Sequence, residues 1–306
     1  MLSVLFLGTS AARPTVERNV AGLVVTREGE SLLFECGEGT QRQMMRYGAS
    51  FGLSDVFFSH FHADHYLGLI GLVRTFGLQG RTDPMRFFGP KGAKRILGAA
   101  LTMGMERSSF GFEIVEVEPG EALAREGYEL RAFAADHGSG ALGWALVEKD
   151  RLGRFNPDRA RELGVPEGPL WGKLQRSQPV TLDDGRVITP ETIVGGARPG
   201  RKLVYTGDTR PCKATIEASL GADLLIHEAT FGDEEKERAV ETQHSTAAEA
   251  AQVAKMAGVK RLALTHLSAR YSRDSAVLLD EARAVFAETV IAKDGMTIEL
   301  PYLAEE

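Results

Sequence analysis

Four side chains able to hold a metal fall within six consecutive positions of this 306-residue chain: His60, His62, Asp64 and His65. They directly follow the β-type run Asp55-Val56-Phe57-Phe58-Ser59. Alternation along an extended segment sends His60 and His62 to the same side, and a turn then lets Asp64 and His65 face a second point nearby. A lone histidine is more often a packed or surface residue than a ligand. A group of ligand-type side chains at this spacing, at a strand end, is not explained that way. Imidazole and carboxylate without thiolate select borderline metals, zinc foremost, with manganese or iron as alternatives.

The elements that must position this cluster are short. Up to Glu148, strands are expected at Leu2–Leu7, Val20–Thr26, Ser31–Glu35, Asp55–Phe58, Met85–Phe88, Phe112–Glu118, Glu129–Ala135 and Ala141–Glu148. Helices are expected at Thr40–Gly48 and, from apolar residues three to four apart, at His65–Gly77 and Lys91–Gly104. From Arg201 a strand and helix alternation resumes, with strands at Lys202–Asp208, Asp223–Ala229, Arg261–Leu267 and Thr289–Gly295, and helices at Ala214–Leu220, Ser245–Ala257 and Asp274–Ala287. This implies a layered α/β fold without separating a parallel sheet from a two-sheet sandwich.

Composition narrows the class. With 43% hydrophobic and 25% charged residues, the chain suits one large domain or two small ones. Its two cysteines, Cys36 and Cys212, have no C-x-x-C or C-x-H partner, which disfavours a disulfide framework and a thiolate zinc finger and makes the reduced cytoplasm the expected location. The apolar run Leu2–Leu7 has no basic leader and is too short for a signal-peptide core. No window approaches the roughly 20 apolar residues of a membrane span, so no membrane is expected as a partner. A net charge of −6 argues against a uniformly basic nucleic-acid coat and leaves room for a local patch.

That patch lies in the segment Lys149 to Lys202, which holds six of the 12 prolines and eight glycines. Its 11 basic residues exceed its 7 acidic ones, so it carries +4 and the remainder −10. A breaker-rich insert of this length is too long for an ordinary connection, and Trp171 argues against an unstructured loop. The expected division is therefore 1–148 with 203–306 as one domain and 149–202 as an inserted basic arm.

His-x-His-x-Asp-His after a short strand resembles the signature of the metallo-β-lactamase superfamily. The resemblance implies an α/β fold, an αββα sandwich, here with an inserted flexible arm, and a two-metal site at one edge of the sheets. It also implies further ligands at later strand ends, in His137, Asp208 and His266. One metal then falls to His60, His62 and His137, the other to Asp64, His65 and His266, with Asp208 bridging. Two divalent cations so held, Zn2+ first and Mn2+ as the alternative, activate water and polarise a phosphoryl or carbonyl oxygen. The superfamily by itself does not select a substrate, since its members hydrolyse many ester types.

Further motifs make that selection. His227-Glu228-Ala229-Thr230, His244-Ser245-Thr246, the start Phe6-Leu7-Gly8-Thr9-Ser10 and the arm around Gly168, Pro169, Trp171 and Lys173 resemble the ribonuclease Z family across essentially the whole chain. The resemblance implies an endoribonuclease that removes the 3′ trailer of precursor tRNA by metal-hydroxide attack, leaving a 3′-hydroxyl. It implies a homodimer whose arm reaches RNA bound by the other subunit. His244, at a helix start with Ser245 and Thr246 as capping hydroxyls, is the candidate general acid, and Glu228 its orienting partner; taken alone, His244 would pass for a capping-region residue. Asp64 is a candidate both as ligand and as proton acceptor, while His227 reads as structural. Arg18 and Asn19 match a substrate-positioning loop, Pro-x-Lys-x-Arg-Asn, in which Val16 replaces the lysine. The alternative enzyme class on this fold is a small-molecule phosphodiesterase or esterase, for which the arm has no evident use. A non-catalytic RNA-binding protein with structural metals is a third class, at odds with a ligand set that leaves open coordination positions.

Overall fold

The first strand, Leu2–Gly8, buries Leu2, Val4 and Phe6 towards one side and Leu7 towards the other, the period-2 pattern of a strand covered on both faces. A computed structural model of the chain, which describes residues 1–103 and 108–302, shows what covers each face. The larger of two units, Met1–Val147 with Lys202–Glu306, is built on two seven-stranded mixed sheets. The first orders its strands Thr297–Leu300, Leu2–Gly8, Gly22–Arg27, Glu30–Phe34, Asp55–Phe57, Met85–Gly89 and Phe112–Glu116, the last four parallel. The second orders them Thr289–Ile291, Leu262–Thr265, Leu224–Glu228, Lys202–Tyr205, Leu142–Glu148, Tyr128–Ala134 and Ala122–Arg125, the first four parallel.

The sheets share one inner core. Phe6, Phe34, Phe57 and Phe88 of the first meet Leu130, Trp144, Tyr205 and Ile226 of the second. Phe57 stacks on Phe88 with centroids 4.8 Å apart and meets Trp144 edge-on at 5.1 Å. Trp144 keeps its polar end satisfied by donating Nε1–H to the Phe58 carbonyl at 3.2 Å. Helices cover the outer faces. Thr40–Tyr47, Leu69–Leu78 and Ala93–Thr102 press Met44, Phe76 and Leu97 on Leu33, Val56 and Phe87, while Ala247–Ala257 and Ala276–Val285 press Ala254 and Leu278 into the cluster around Val204, Leu225 and Leu264. The architecture is an αββα sandwich, which decides the question that strand and helix alternation left open.

Several elements differ from expectation. The helix expected over His65–Gly77 is two, Ala63–Tyr66 and Leu69–Leu78: the Gly68 N–H leaves the helix ladder to donate to the Cys36 carbonyl at 2.9 Å, and only glycine fits there, since a Cβ would sit 2.0 Å from the Gly37 oxygen. The strands Ala122–Arg125 and Thr297–Leu300 and the helix Lys236–Glu241 carry too little apolar periodicity to stand out in the sequence. The expected end of the third helix at Gly104 lies outside the described residues.

The second unit, Glu148–Arg201, has a small core of its own rather than unstructured chain. Helices Pro157–Glu162 and Pro169–Gln175 and a ladder of Val180–Thr181 with Val187–Ile188 gather Ala160, Val165, Leu174, Val180, Ile188 and Ile193. Both helices start at a proline, whose fixed φ and missing N–H suit the first helical turn. A buried pair, Arg201 with Glu148 at 2.7 Å, joins the two ends of the unit.

Candidate metal centre

The centre is assembled where strands of both sheets end. His60 and His62 follow Asp55–Phe57, and His62 occupies the N-cap of the one-turn helix Ala63–Tyr66 that carries Asp64 and His65. That helix stands where a turn was expected. His137 follows Tyr128–Ala134, Asp208 follows Lys202–Tyr205 and His266 follows Leu262–Thr265. A backbone bond from Leu142 N–H to the Ser59 carbonyl, 2.9 Å, ties the two sheets beside the cluster.

Among the described residues three groups of ligand atoms result, each within 4.8 Å of one another: His60, His62, His137 with Asp208; Asp64, His65 with His266; and Asp208, His266 with His244, so that His244 borders the second group. His137 Nε2 lies 3.2 Å from His62 Nδ1, and His266 Nε2 lies 3.3 Å from both His65 Nε2 and Asp64 Oδ2. Asp208 stands between them, Oδ2 at 3.6 Å from His60 Nε2 and 3.3 Å from His65 Nε2, Oδ1 at 3.4 Å from His266 Nε2. These spacings fit divalent metal. Ligand atoms about 2.0–2.1 Å from one tetrahedral ion stand roughly 3.3 Å apart. His60 Nε2 and Asp208 Oδ1 are also buried without a hydrogen-bond partner among the described residues, which is costly unless something else meets them. All the donors are imidazole or carboxylate, as zinc accepts.

A second layer aims these side chains, most of it silent in the sequence. His137 Nδ1 meets the Gln243 carbonyl at 2.7 Å, His60 Nδ1 the Ser59 hydroxyl at 3.0 Å, and His266 Nδ1 the Thr230 hydroxyl at 3.1 Å. Glu35, fully buried at a φ of +58°, accepts from Ser59 N–H at 3.0 Å and faces His65 Nδ1 at 3.5 Å. Ala12 N–H donates to Asp64 Oδ2 at 2.7 Å. Partners of this kind fix the tautomer and direction of ligating groups. Of these, Thr230 lies in the His227–Thr230 motif but carries no sequence signal of its own.

His244 stands at the rim of the cluster, its ring centroid 4.8 Å from that of His137 and 5.4 Å from that of His266. Its Nδ1 lies 2.8 Å from Glu228 Oε1. Glu228 is fully buried and held by Thr209 N–H at 3.1 Å and by the Thr230 hydroxyl at 2.7 Å. Burial opposes protonation of His244, yet the charge and hydrogen bond of Glu228 outweigh it and push the pKa up to about 9. The expected capping role divides. Thr246 is the N-cap of Ala247–Ala257, accepting from Glu249 N–H, whereas Ser245 donates its hydroxyl to the Thr209 carbonyl at 2.5 Å and caps nothing. His227 is fully buried, its Nδ1 2.7 Å from the Glu228 carbonyl.

Known proteins resemble the chain along its length. A family model described as a beta-lactamase superfamily domain matches residues 179–267, and one described as Anti-Pycsar protein Apyc1 matches residues 2–152. A ribonuclease Z of Gemmatimonas aurantiaca is 60% identical over 100% of this chain and 98% of its own. The chain belongs to the ribonuclease Z family. The crystal structure of the short form of human tRNase Z superposes with a TM-score of 0.71 at 28% identity, covering 98% of this chain and 99% of that one. YhfI of Bacillus subtilis, a metallo-beta-lactamase fold protein, superposes with a TM-score of 0.70 at 20% identity over 97% and 98% of the two chains, a likeness of fold. As a member of the ribonuclease Z family the chain is an enzyme, a nuclease on the metallo-β-lactamase fold.

The substrate contacts implied by the ribonuclease Z resemblance are placed unevenly. Arg18 is buried, its guanidinium donating to the Thr9 hydroxyl and the Ala292 carbonyl, both at 2.7 Å, which ties its loop to the body of the unit. Asn19 is half-buried and donates its amide to the Glu38 carbonyl at 2.9 Å, just before the helix Thr40–Tyr47, while Val16 is 94% exposed. Within the second unit, Trp171 packs: Nε1–H donates to the Val165 carbonyl at 3.1 Å and the ring lies 5.0 Å from Phe155. Gly168, Pro169 and Lys173 are exposed. Among the described residues no helix is long and apolar enough to cross a membrane.

Proposed function

We propose that the chain is a dizinc endoribonuclease that removes the 3′ trailer from precursor tRNA and leaves a 3′-hydroxyl on the tRNA. The observation that carries this reading is the pairing of His244 with the buried Glu228 at 2.8 Å beside a converging set of metal-ligand side chains. His60, His62 and His137 would hold one cation and Asp64, His65 and His266 the other, with Asp208 shared. Cations held there lower the pKa of water and offset charge on phosphoryl oxygens.

The remaining work falls to the chain itself. With Nδ1 engaged by Glu228, His244 presents Nε2, and a proton held there passes to the departing 3′-oxygen of the ribose. Glu228 accepts from Thr209 and Thr230 as well, so its direction is fixed and it holds His244 in the charged form. Asp64, kept in place by Ala12 N–H, is the proposed acceptor of a proton from the attacking water. The unit Glu148–Arg201 is the proposed tRNA exosite, with exposed Lys173 and Arg176 near its second helix. The relatives' name, ribonuclease Z, and the likeness to human tRNase Z support precursor tRNA as substrate.

A cytoplasmic homodimer goes with this reading, as the commonest soluble symmetry. A single species sedimenting near the 33.2 kDa chain mass would remove the dimer from it. The enzymatic test is to map the product ends of an unprocessed tRNA transcript with and without chelator. One cut at the trailer boundary is expected, lost with chelator and restored by Zn2+ or Mn2+. Metal-loaded protein that hydrolyses bis(nitrophenyl) phosphate but leaves the transcript whole would overturn the assignment.

A further inference from the structure

We infer that Arg210 is a positioning residue for His244, acting through that residue's backbone carbonyl. The inference rests on the proposed role of His244 as proton donor. Arg210 lies just beyond Asp208, and its guanidinium turns to the loop before the helix Ala247–Ala257. One arm, Nη1, donates to the His244 carbonyl and to Glu249 Oε2, each at 2.6 Å, and Nη2 donates to Glu249 Oε1 at 2.6 Å. A two-point grip on a carboxylate fixes the plane of the guanidinium and so the direction of its further donor.

Glu249 is itself immobilised. It closes a capping box, accepting from Thr246 N–H at 3.0 Å while its own N–H donates to the Thr246 hydroxyl at 3.2 Å. The backbone of Arg210 is anchored too, its N–H donating to the Asp136 carbonyl at 2.9 Å, next to His137. Arg210 therefore spans three pieces of the site, the end of Tyr128–Ala134, the Asp208 loop and the start of Ala247–Ala257. Its charge is spent inward: its side chain is 18% exposed and paired with Glu249, which leaves little of it to display to RNA.

His244 needs such a hold. The residue before it, Gln243, sits at a φ of +57°, a left-handed conformation that costs a non-glycine residue about 1–2 kcal/mol. The N–H of His244 donates to the Ala239 carbonyl at 2.8 Å, and Glu228 grips its ring. The carbonyl is the third point, and Arg210 supplies it. Without that point the loop can relax at Gln243 and carry the ring away from its place, and a displacement of about 1 Å can cost on the order of 10²-fold in rate.

The test compares Arg210→Ala, Arg210→Lys, His244→Ala and the double variant Arg210→Ala/His244→Ala on precursor tRNA and on bis(nitrophenyl) phosphate, with metal content measured for each. Arg210→Ala is expected to lower kcat on tRNA by about 10–10²-fold, with far less effect on the activated ester and full metal content. In the His244→Ala background it is expected to add no more than about twofold, since its route of action is already gone. Arg210→Lys, which cannot grip Glu249 at two points, should fall between. A full additional loss in the double variant, or equal loss on both substrates with metal retained, would overturn the inference. Where Arg210→Ala loses metal, Glu249→Gln carries the same comparison, because it frees Arg210 without removing it. The proton-donor reading fails separately, on equal losses for His244→Ala alone.

Discussion

Gly207 and Ser59, from different sheets, approach so closely that a Cβ on Gly207 would lie 2.5 Å from the Cβ of Ser59. Gly207 sits at a φ of +60°, where a side chain is strained as well as crowded. Each residue precedes a ligand, so this contact sets Asp208 Oδ2 3.6 Å from His60 Nε2. Gly207→Ala should therefore push the two apart. The expected cost is about 1–3 kcal/mol, read as a lower Tm, together with reduced metal content. Unchanged metal binding would show that the close contact does not set the ligand spacing.

The ligand grouping predicts about two divalent ions per chain by elemental analysis. His266→Ala should lose one ion's worth. Asp208, which faces His60, His65 and His266 within 3.6 Å, should remove more metal when changed to alanine than any single histidine substitution. One ion per chain, insensitive to His266→Ala, would rule out the two-metal arrangement.

If His244 gives up a proton to the leaving oxygen, His244→Ala should cost roughly 10²–10⁴-fold on RNA, whose alkoxide leaves poorly, and far less on a nitrophenyl ester. Glu228→Gln should show the same contrast more weakly. It also removes the charge that pushes the His244 pKa up to about 9. A general acid works only while protonated, so activity falls as pH rises through its pKa. Lowering that pKa in Glu228→Gln moves the alkaline limb of kcat to lower pH, and a limb that stays in place would contradict the pairing.

Replacing residues 152 to 198 with a short Gly/Ser linker removes a unit that holds its own apolar cluster and none of the proposed ligands. Hydrolysis of bis(nitrophenyl) phosphate should stay near normal, while kcat/KM on precursor tRNA falls steeply through weaker binding. The salt dependence of tRNA binding should become shallower as phosphate contacts are lost. Undiminished tRNA cleavage by a folded, metal-loaded variant would show that the insert is not the exosite.

Trp171 separates packing from recognition inside that unit. Trp171→Phe keeps the ring against Phe155 but drops the bond to the Val165 carbonyl, and should cost about 1 kcal/mol of stability with tRNA affinity retained. A fall in affinity without a fall in stability would give Trp171 a direct part in binding RNA.

What the sequence determined by itself is the inventory of side chains that converge and the fold class that brings them together. His60, His62, Asp64 and His65 follow a run readable as a strand, and the resemblance to the metallo-β-lactamase signature added His137, Asp208 and His266 at later strand ends. What only the tertiary structure decided is how those groups are aimed. Glu35 meets His65 across 30 positions, Gln243 serves His137 through a carbonyl, and Ala12 serves Asp64 through an N–H. Backbone donors and acceptors are the same in every residue, so no residue type advertises them. Arg18, singled out through a loop that matches the family, shows what sequence leaves out: its guanidinium is buried and donates to Thr9 and Ala292. Residue type records what chemistry a group can do, and distance and burial, which depend on contacts remote in sequence, determine which of it the group is free to do.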